Sequence, residues 1–160
     1  MGTTFMEIYT DWMLPVINDY KLDNLYIANR DVLFKFLQGF LKNGLTDFDC
    51  LKPLTYQEID IFDEETGFTE KQFVFDYELD DDEKKIIAEI AVSKYFKRLI
   101  QDVKARMPYM SQREFKKEAT APVMKENDSW YNNLVSEYME DIANYNMKHI
   151  EELPYWKDLV

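Results

Sequence analysis

The feature that most constrains the fold of this chain is a long helical pattern that runs from Asp80 to Met107 without a glycine or proline. Asp80 and Glu83 have the D-x-x-E spacing of a capping box, and the acids from Asp80 to Asp82 lie where the helix dipole favours negative charge. The apolar residues of this segment cover more than one face of the helix. A helix that is apolar on several sides packs between other elements. The sequence therefore predicts a central helix over about residues 80–107.

Further periodic patterns predict helices before and after this one. Apolar residues at helical spacing indicate an N-terminal helical arm within residues 1–20, which Pro15 and the Asn18–Asp19 pair are expected to end or kink. A second helix is expected over about 24–43 and a last helix over about 129–150. Residues 151–160 are expected to form a C-terminal tail.

Two glycines give specific expectations for the second helix. Gly44 stands where a left-handed C-cap is expected. Gly39 lies inside the helical pattern, where glycine is about 1 kcal/mol less favourable than alanine, so we expect a neighbouring backbone to approach closely there. In the loop that follows, at about 45–54, Phe48 and Cys50 are the expected inward-facing anchors.

The apolar period changes from 3.6 to 2 between the second helix and the central one. Residues 56–62 and 72–77 flank an acidic turn that contains Gly67, and this indicates a β-hairpin or a long loop inserted at about 56–77. A lone hairpin is marginally stable, so it must lie on the helices or on a partner chain. Residues 1–160 suffice for one domain with a single core. The predicted fold is mostly α, a bundle of about four helices around the central helix with this insertion.

Charge is distributed unevenly along the chain. The net charge is −12; residues 1–80 hold 16 acids and 6 bases, whereas residues 94–125 hold 9 bases and 3 acids. A strongly acidic chain is a poor candidate for binding nucleic acid. The opposite signs of these two regions suit complementary faces in head-to-tail association. A solvated surface with local ion pairs explains the same pattern.

The sequence offers little for catalysis or metal binding. Its only histidine is His149 and its only cysteine is Cys50, whereas zinc sites need several such ligands. The acids before Gly67 do not have the spacing of a calcium loop, and four glycines are too few for a phosphate-binding loop. A single cysteine fits a reducing compartment, and no apolar run reaches the roughly 18 residues of a membrane helix. We therefore expect a protein with no enzyme activity, metal, cofactor or membrane span.

Three stretches within about residues 30–120 resemble motifs of one known family in their order and spacing, except that the spacing around Cys50 is shorter and an aromatic C-terminal tail is added. They are Leu45-Thr46-Asp47-Phe48-Asp49-Cys50-x-Lys52-x-Leu54, Phe75-x-x-Glu78-Leu79-Asp80-Asp81-x-Glu83-Lys84-x-Ile86-Ile87-Ala88 and Met110-Ser111-x-x-Glu114-Phe115-Lys116. With them the chain resembles the head–tail connector (adaptor or neck) proteins of tailed bacteriophages that infect Gram-positive bacteria. In that family the protein is a mostly helical subunit of a ring, typically of about a dozen copies, beneath the portal. The ring extends the DNA channel and joins the capsid to the neck or tail.

The resemblance implies a structural virion protein of the neck region that is present in the host cytoplasm during assembly. Its implied partners are further copies of itself, the portal protein, the next neck or tail-completion protein, and genomic DNA that passes without sequence-specific binding. The side chains expected at subunit or partner contacts are Phe73, Phe75, Tyr77, Arg98, Arg106, Arg113, Lys116, Lys117, Tyr155 and Trp156. An acidic channel surface would repel DNA phosphates, and the acids expected there are Asp63, Glu64, Glu65, Asp80, Asp81 and Asp82.

The high negative charge supports one alternative of a different class. This is an acidic phage-encoded inhibitor that mimics DNA and occupies a host DNA-binding protein. The 46% apolar content and the basic stretch at 94–125 count against it. Ring formation or portal binding would separate the two hypotheses, because an inhibitor should compete with DNA in a salt-sensitive manner.

Overall fold

The computed structural model describes residues 2–19, 30–62, 64, 67–106 and 121–152. The described part of the chain is mostly helical and contains one two-stranded antiparallel sheet. In order, the elements are α1 (Phe5–Glu7), a π-helical segment (Ile8–Met13), α2 (Leu14–Asp19), α3 (Arg30–Gly44), a 3-10 turn (Leu45–Asp47), β1 (Tyr56–Phe62), β2 (Thr69–Phe75), α4 (Asp81–Arg106) and α5 (Ala121–Lys148).

The central helix is confirmed as α4. Its capping box is complete, because the Glu83 N–H donates to Asp80 Oδ1 and the Asp80 N–H donates to Glu83 Oε2, each at 2.9 Å. The π-helical segment, α3 and α5 all pack against this helix. Its buried residues lie on several faces, as expected for a helix between other elements. They include Ile86, Ile87, Ala88, Ile90, Ala91, Val92, Tyr95 and Phe96.

The N-terminal arm is helical, but Pro15 does not end it. Thr4 caps the start through a hydrogen bond from the Glu7 N–H to its Oγ1 at 3.1 Å. Pro15 is the second residue of α2, which continues to Asp19. The wide π-helical turn that precedes α2 gives space for the proline ring, which in a regular α-helix would clash with a carbonyl one turn earlier.

The expectations for the two glycines of α3 were both wrong. Gly44 has φ −73° and leads directly into the 3-10 turn, so no left-handed cap forms. A Cβ on Gly39 would meet nothing within 4 Å, whereas a Cβ on Gly44 would lie 3.2 Å from Ile90 Cγ2. The close approach therefore lies at Gly44, where the end of α3 meets α4. Phe48 is buried and Cys50 is half-buried, which confirms both as inward anchors.

The insertion is a β-hairpin, with β2 beginning at Thr69 rather than at residue 72. Its register pairs Tyr56 with Phe75 and Phe62 with Thr69, and Gly67 has the positive φ of 72° that its turn needs. The N-terminal segment covers the outer edge of β2, since the Phe75 N–H donates to the Thr3 carbonyl at 2.9 Å. The base of the hairpin is thus fixed to the body of the domain.

The last helix begins at Ala121, eight residues before the predicted start at 129, and ends at Lys148. Pro122 is the second residue of this helix, and proline is tolerated in the first turn, where its missing N–H has no helical partner. Among the described helices, none combines the length and apolar character that crossing a membrane requires. The tail at 153–160 lies outside the described residues.

Candidate functional site

The most elaborate polar arrangement among the described residues surrounds the Glu83 carboxylate. Glu83 lies in the first turn of α4, and its side chain is only 1% exposed although it is ionisable. The capping box holds it there. Since burying a carboxylate is costly unless donors satisfy it, the surrounding donors decide what this site can do.

Four donors converge on this carboxylate and use all of its acceptor positions. Oε1 accepts from the Tyr145 hydroxyl at 2.8 Å and from the Cys50 thiol at 3.2 Å. Oε2 accepts from the Lys52 ammonium at 3.0 Å and from the Asp80 N–H at 2.9 Å. A carboxylate has about four lone-pair sites, so Glu83 is fully satisfied. It joins the loop before the hairpin, α4 and α5 at one point.

Two more contacts fix the partners of Glu83. The Leu51 N–H donates to the Tyr145 hydroxyl at 3.3 Å, and Lys52 also donates to the Glu78 carbonyl at 3.1 Å. The Tyr145 ring packs edge-to-face on Phe48, with 5.1 Å between centroids. The network is therefore oriented by backbone groups and by an aromatic contact, as well as by charge. We call Glu83, Cys50, Lys52, Tyr145 and the Asp80 N–H the Glu83 network.

The electrostatics of the Glu83 network favour an ionised glutamate and a protonated thiol. Burial alone would raise the pKa of Glu83, but the hydrogen bonds from Asp80, Lys52 and the other donors outweigh it and hold the pKa below its usual value. Burial raises the pKa of the Cys50 thiol to about 11, and the nearby glutamate adds to that rise. Burial is also the main cause of a raised pKa at Tyr145.

These properties suit a structural junction better than a reaction centre. A nucleophilic cysteine needs a lowered pKa, and Cys50 has the opposite. The His149 ring lies tilted against the Tyr145 ring, with 4.7 Å between centroids, and its Nδ1 lies 3.7 Å from a Glu152 carboxylate oxygen. His149 is therefore partly covered rather than fully exposed. Among the described residues, no group of three or more His, Cys, Asp or Glu side chains could hold a metal ion.

A second carboxylate cluster lies almost two turns further along α4. Glu89 is buried, its Oε1 lies 3.7 Å from the Lys85 ammonium, and its Oε2 has no hydrogen-bond partner among the described residues. Lys85 is closer to Asp141 of α5, at 2.7 Å. Burial, opposed by Lys85 and reinforced by Asp141 and Glu137, raises the pKa of Glu89 to about 7. An open cavity of about 220 Å³ adjoins Lys85 and Asp141.

Three of the five aromatic residues expected at partner contacts are described by the structure, and they differ in exposure. Phe75 is buried in the core, 1% exposed, and has no surface to offer a partner, because it lies on the fixed base of the hairpin. Phe73 is half-buried, 5.6 Å from Phe5 between ring centroids, and the Lys42 ammonium lies over its ring at 3.6 Å. Tyr77 is 49% exposed and available.

Of the basic residues expected at contacts, the structure describes only the Arg98 side chain. It is exposed and lies 3.2 Å from Asp102 of the same helix. Arg106 ends α4, and its side chain is outside the described part of the chain. The other expected contact residues also lie outside it: Arg113, Lys116, Lys117, Tyr155 and Trp156.

Of the four described acids that were expected to face a channel, two are engaged within the chain. Asp80 caps α4, and Asp82 lies 2.6 Å from the Lys148 ammonium of α5, which lowers the pKa of Asp82. Asp81 and Glu64 are exposed. Asp63 and Glu65 lie outside the described residues.

The sequence did not reveal the partners of Glu83 or the importance of Glu89. Glu83 was recognised only as a cap, because Lys52 and Tyr145 are 31 and 62 residues away from it. Glu89 had a detectable signal, since it is an acid within the apolar run from Ile86 to Phe96. Comparison with protein-family models gives no match, and neither the curated proteins nor the solved structures include a significantly similar chain.

Proposed function

We propose that this protein is a structural subunit of a bacteriophage head–tail connector, which forms a ring under the portal and extends the DNA channel. The observation that carries the proposal is the Glu83 network. Two of the three stretches that resemble the connector family contribute to it, one through Cys50 and Lys52 and the other through Asp80 and Glu83. Two of the three motifs behind the resemblance thus act together as one packing unit, and the third lies outside the described residues.

The chemistry of the described residues supports a structural role. The most buried ionisable group, Glu83, is saturated with donors and has no free position for a substrate. Its interactions join three parts of the chain in the interior, so the surface residues remain available for contacts with partners. A subunit that must withstand the pressure of packaged DNA gains from a junction of this kind, because breaking a buried and satisfied ion pair is costly.

The DNA-mimic alternative has less support from the side-chain contacts. A mimic needs acids free to replace phosphates, yet several acids are paired internally. Glu7 lies 2.7 Å from Lys84, Asp47 lies 2.7 Å from Lys94, and Asp82 is bound to Lys148. Each of these ion pairs removes one carboxylate from those that could take the place of a phosphate, and the paired lysines are already counted in the net charge of −12.

The deciding experiment mixes the purified protein with assemblies of the portal protein from the same phage and images the mixture by negative-stain electron microscopy. A ring of added density on one end of the portal is the expected result. No binding to the portal at low or moderate salt, together with salt-sensitive displacement of DNA from a host DNA-binding protein, would favour the inhibitor instead. Unrelated portal assemblies of the same symmetry provide the control for nonspecific adsorption.

A further inference from the structure

Glu89 is a buried acid between α4 and α5 that takes no part in the Glu83 network. Its side chain is only 6% exposed, and no donor among the described residues reaches its Oε2. The Lys85 ammonium lies 3.7 Å from Glu89 Oε1 but 2.7 Å from a carboxylate oxygen of Asp141 on α5. Lys85 therefore pairs more closely with Asp141, and Glu89 lies beyond hydrogen-bond distance of this ammonium.

Glu89 and Asp141 are in hydrogen-bonding contact with each other across the interface. An ionised carboxylate can only accept, so a hydrogen bond between two carboxyl groups requires a proton on one of them. The ammonium 2.7 Å from Asp141 favours the charged form of that residue, so the proton belongs to Glu89. The Glu89 hydroxyl then donates to the Asp141 carboxylate and joins α4 to α5.

The surroundings of Glu89 oppose its ionisation. The charged groups that act on it most strongly are Lys85 of α4 and, from α5, Asp141 and Glu137, which makes two acids against one base. Among the described residues, the side chains that α3 and the π-helical segment bury in the core are uncharged. Burial is the main cause of the raised pKa of Glu89, about 7, and the acids add to it against Lys85. Glu89 therefore changes charge near neutral pH.

Two features of the interface determine what a change of charge at Glu89 can do. The cavity of about 220 Å³ beside Lys85 and Asp141 is open, so a proton from this pair has a route to solvent. The C-terminal end of α5 is fixed separately, because the Tyr145 hydroxyl donates to Glu83 at 2.8 Å. The turns of α5 before Tyr145 are thus the part that can respond to Glu89.

We infer that Glu89 and Asp141 form a pH-dependent switch that holds α5 on α4 when Glu89 is protonated and lets the two helices separate locally when it is ionised. On ionisation the O–H bond of Glu89 breaks and the proton passes to water. Two carboxylates then share the Lys85 ammonium in a buried place, which is unfavourable until water reaches them. The separation occurs ahead of Tyr145, which the Glu83 network retains. The switch lies within one chain and does not depend on the proposed function.

Amide hydrogen exchange measured from pH 5 to 8, and corrected for the intrinsic exchange rate, tests this switch. Between about pH 4.5 and 7 the closed form keeps the proton and the open form loses it, so each pH unit should raise the open fraction about tenfold. Protection of the α5 amides between Leu134 and Tyr145 should fall about a hundredfold from pH 5 to 7 and then level off. The amides of α3 should stay at least about tenfold better protected, because α3 remains folded when α5 opens.

Three variants assign the effect to these side chains, with circular dichroism at pH 5 to check that each is folded. E89Q cannot ionise but can still donate to Asp141, so its α5 protection should change less than about twofold from pH 5 to 7. D141N removes the facing carboxylate and leaves Lys85 to pair with Glu89, so the fall should shrink to about tenfold or less. The matched control is E140Q, because Glu140 is exposed on α5, and it should keep the hundredfold fall.

Three results would overturn the inference. The first is a fall in α5 protection of less than about tenfold in the wild-type protein between pH 5 and 7. The second is a full fall that persists in E89Q or in D141N. The third is equal protection of α5 and α3 at every pH, because the ionisation of Glu89 would then act through global unfolding and not through a local separation of α5.

Discussion

Replacing Glu83 with glutamine should destabilise the fold far more than a surface substitution of the same kind. All four partners of this carboxylate are donors, so an amide can satisfy at most two of them through its oxygen. The favoured orientation keeps Lys52 and the Asp80 N–H on the oxygen and turns the amide NH₂ toward Tyr145 and Cys50. The substitution therefore weakens one charge-assisted bond and leaves two donors without acceptors. The expected cost is about 2–4 kcal/mol.

The magnitude can be measured by urea unfolding followed by circular dichroism. For a chain of this length, about 2–4 kcal/mol corresponds to a fall in Tm of roughly 5–15 °C. The control is E140Q, because Glu140 is exposed on α5 and should change stability by less than about 0.5 kcal/mol. A cost at Glu83 below about 0.5 kcal/mol would refute the view that its four donors stabilise the junction.

A double-mutant cycle with Tyr145 separates the network from the helix cap. Y145F should cost about 1–2 kcal/mol, since it removes the donor to Glu83 and the acceptor of the Leu51 N–H. The double variant should cost less than the sum by about 1 kcal/mol, because phenylalanine leaves no hydroxyl facing the amide. The control Y131F changes a half-buried tyrosine of the same helix without a hydrogen bond among the described residues. Additive costs would contradict direct coupling.

The pH dependence of the same variant gives an independent check. The folded pKa of Glu83 is below its ordinary value of 4.5, so the stabilisation by its ionised form is present above about pH 4.5 and is lost as the pH falls through the folded pKa. E83Q should therefore show a flatter loss of stability with acid than the wild-type protein. Parallel acid-unfolding curves for the two proteins would be inconsistent with an ionised Glu83 in the fold.

Three further outcomes follow from the described contacts. The pKa of Glu89 is raised from 4.5 to about 7, so its protonated form is favoured in the fold and about 3 kcal/mol of stability should be lost as the pH rises from about 4.5 to 7. E89Q should abolish this pH dependence in urea unfolding measured across the same range. G39A should stabilise the protein by up to about 1 kcal/mol in thermal unfolding, because its Cβ meets open space in a helix. G44A should destabilise the protein, because its Cβ would press on the buried Ile90. Equal effects of the two substitutions would contradict this packing. The raised pKa of Cys50, about 11, should make the thiol react with a disulfide reagent at pH 8 at least about a hundredfold more slowly in the folded protein than in urea, and similar rates would be incompatible with a buried thiol.

The features that local sequence could predict are those whose causes lie within a few residues. The capping box of Asp80 and Glu83 and the apolar faces of α4 depend on spacing along one helix, and both are present. The alternation of apolar and polar residues in the hairpin strands and the helical spacing of apolar residues in the N-terminal arm are equally local signals. These patterns were enough to predict a mostly helical chain with a hairpin insertion.

The features that could not be predicted depend on contacts between distant segments. The role of Gly44 is set by Ile90 of another helix, and no signal next to Gly44 distinguishes this from a left-handed cap. Pro15 has its usual chemistry, but the π-helical turn before it is a product of packing. Lys52 and Tyr145 became site residues only when the fold placed them beside Glu83.

The Glu83 network, which stabilises the fold, lies apart from the exposed residues that a partner could contact. The Glu83 carboxylate is covered by the loop, α4 and α5, so a partner cannot reach it without opening the fold. The exposed aromatic side chains of Phe62, Phe68 and Tyr77 use none of the groups of this network. E83Q should therefore lower stability without changing how the molecules that remain folded bind a portal assembly. If E83Q altered the stoichiometry of an assembly under conditions in which it is fully folded, the network would have to transmit a conformational change to the surface. The junction and the contact surfaces would then not be independent.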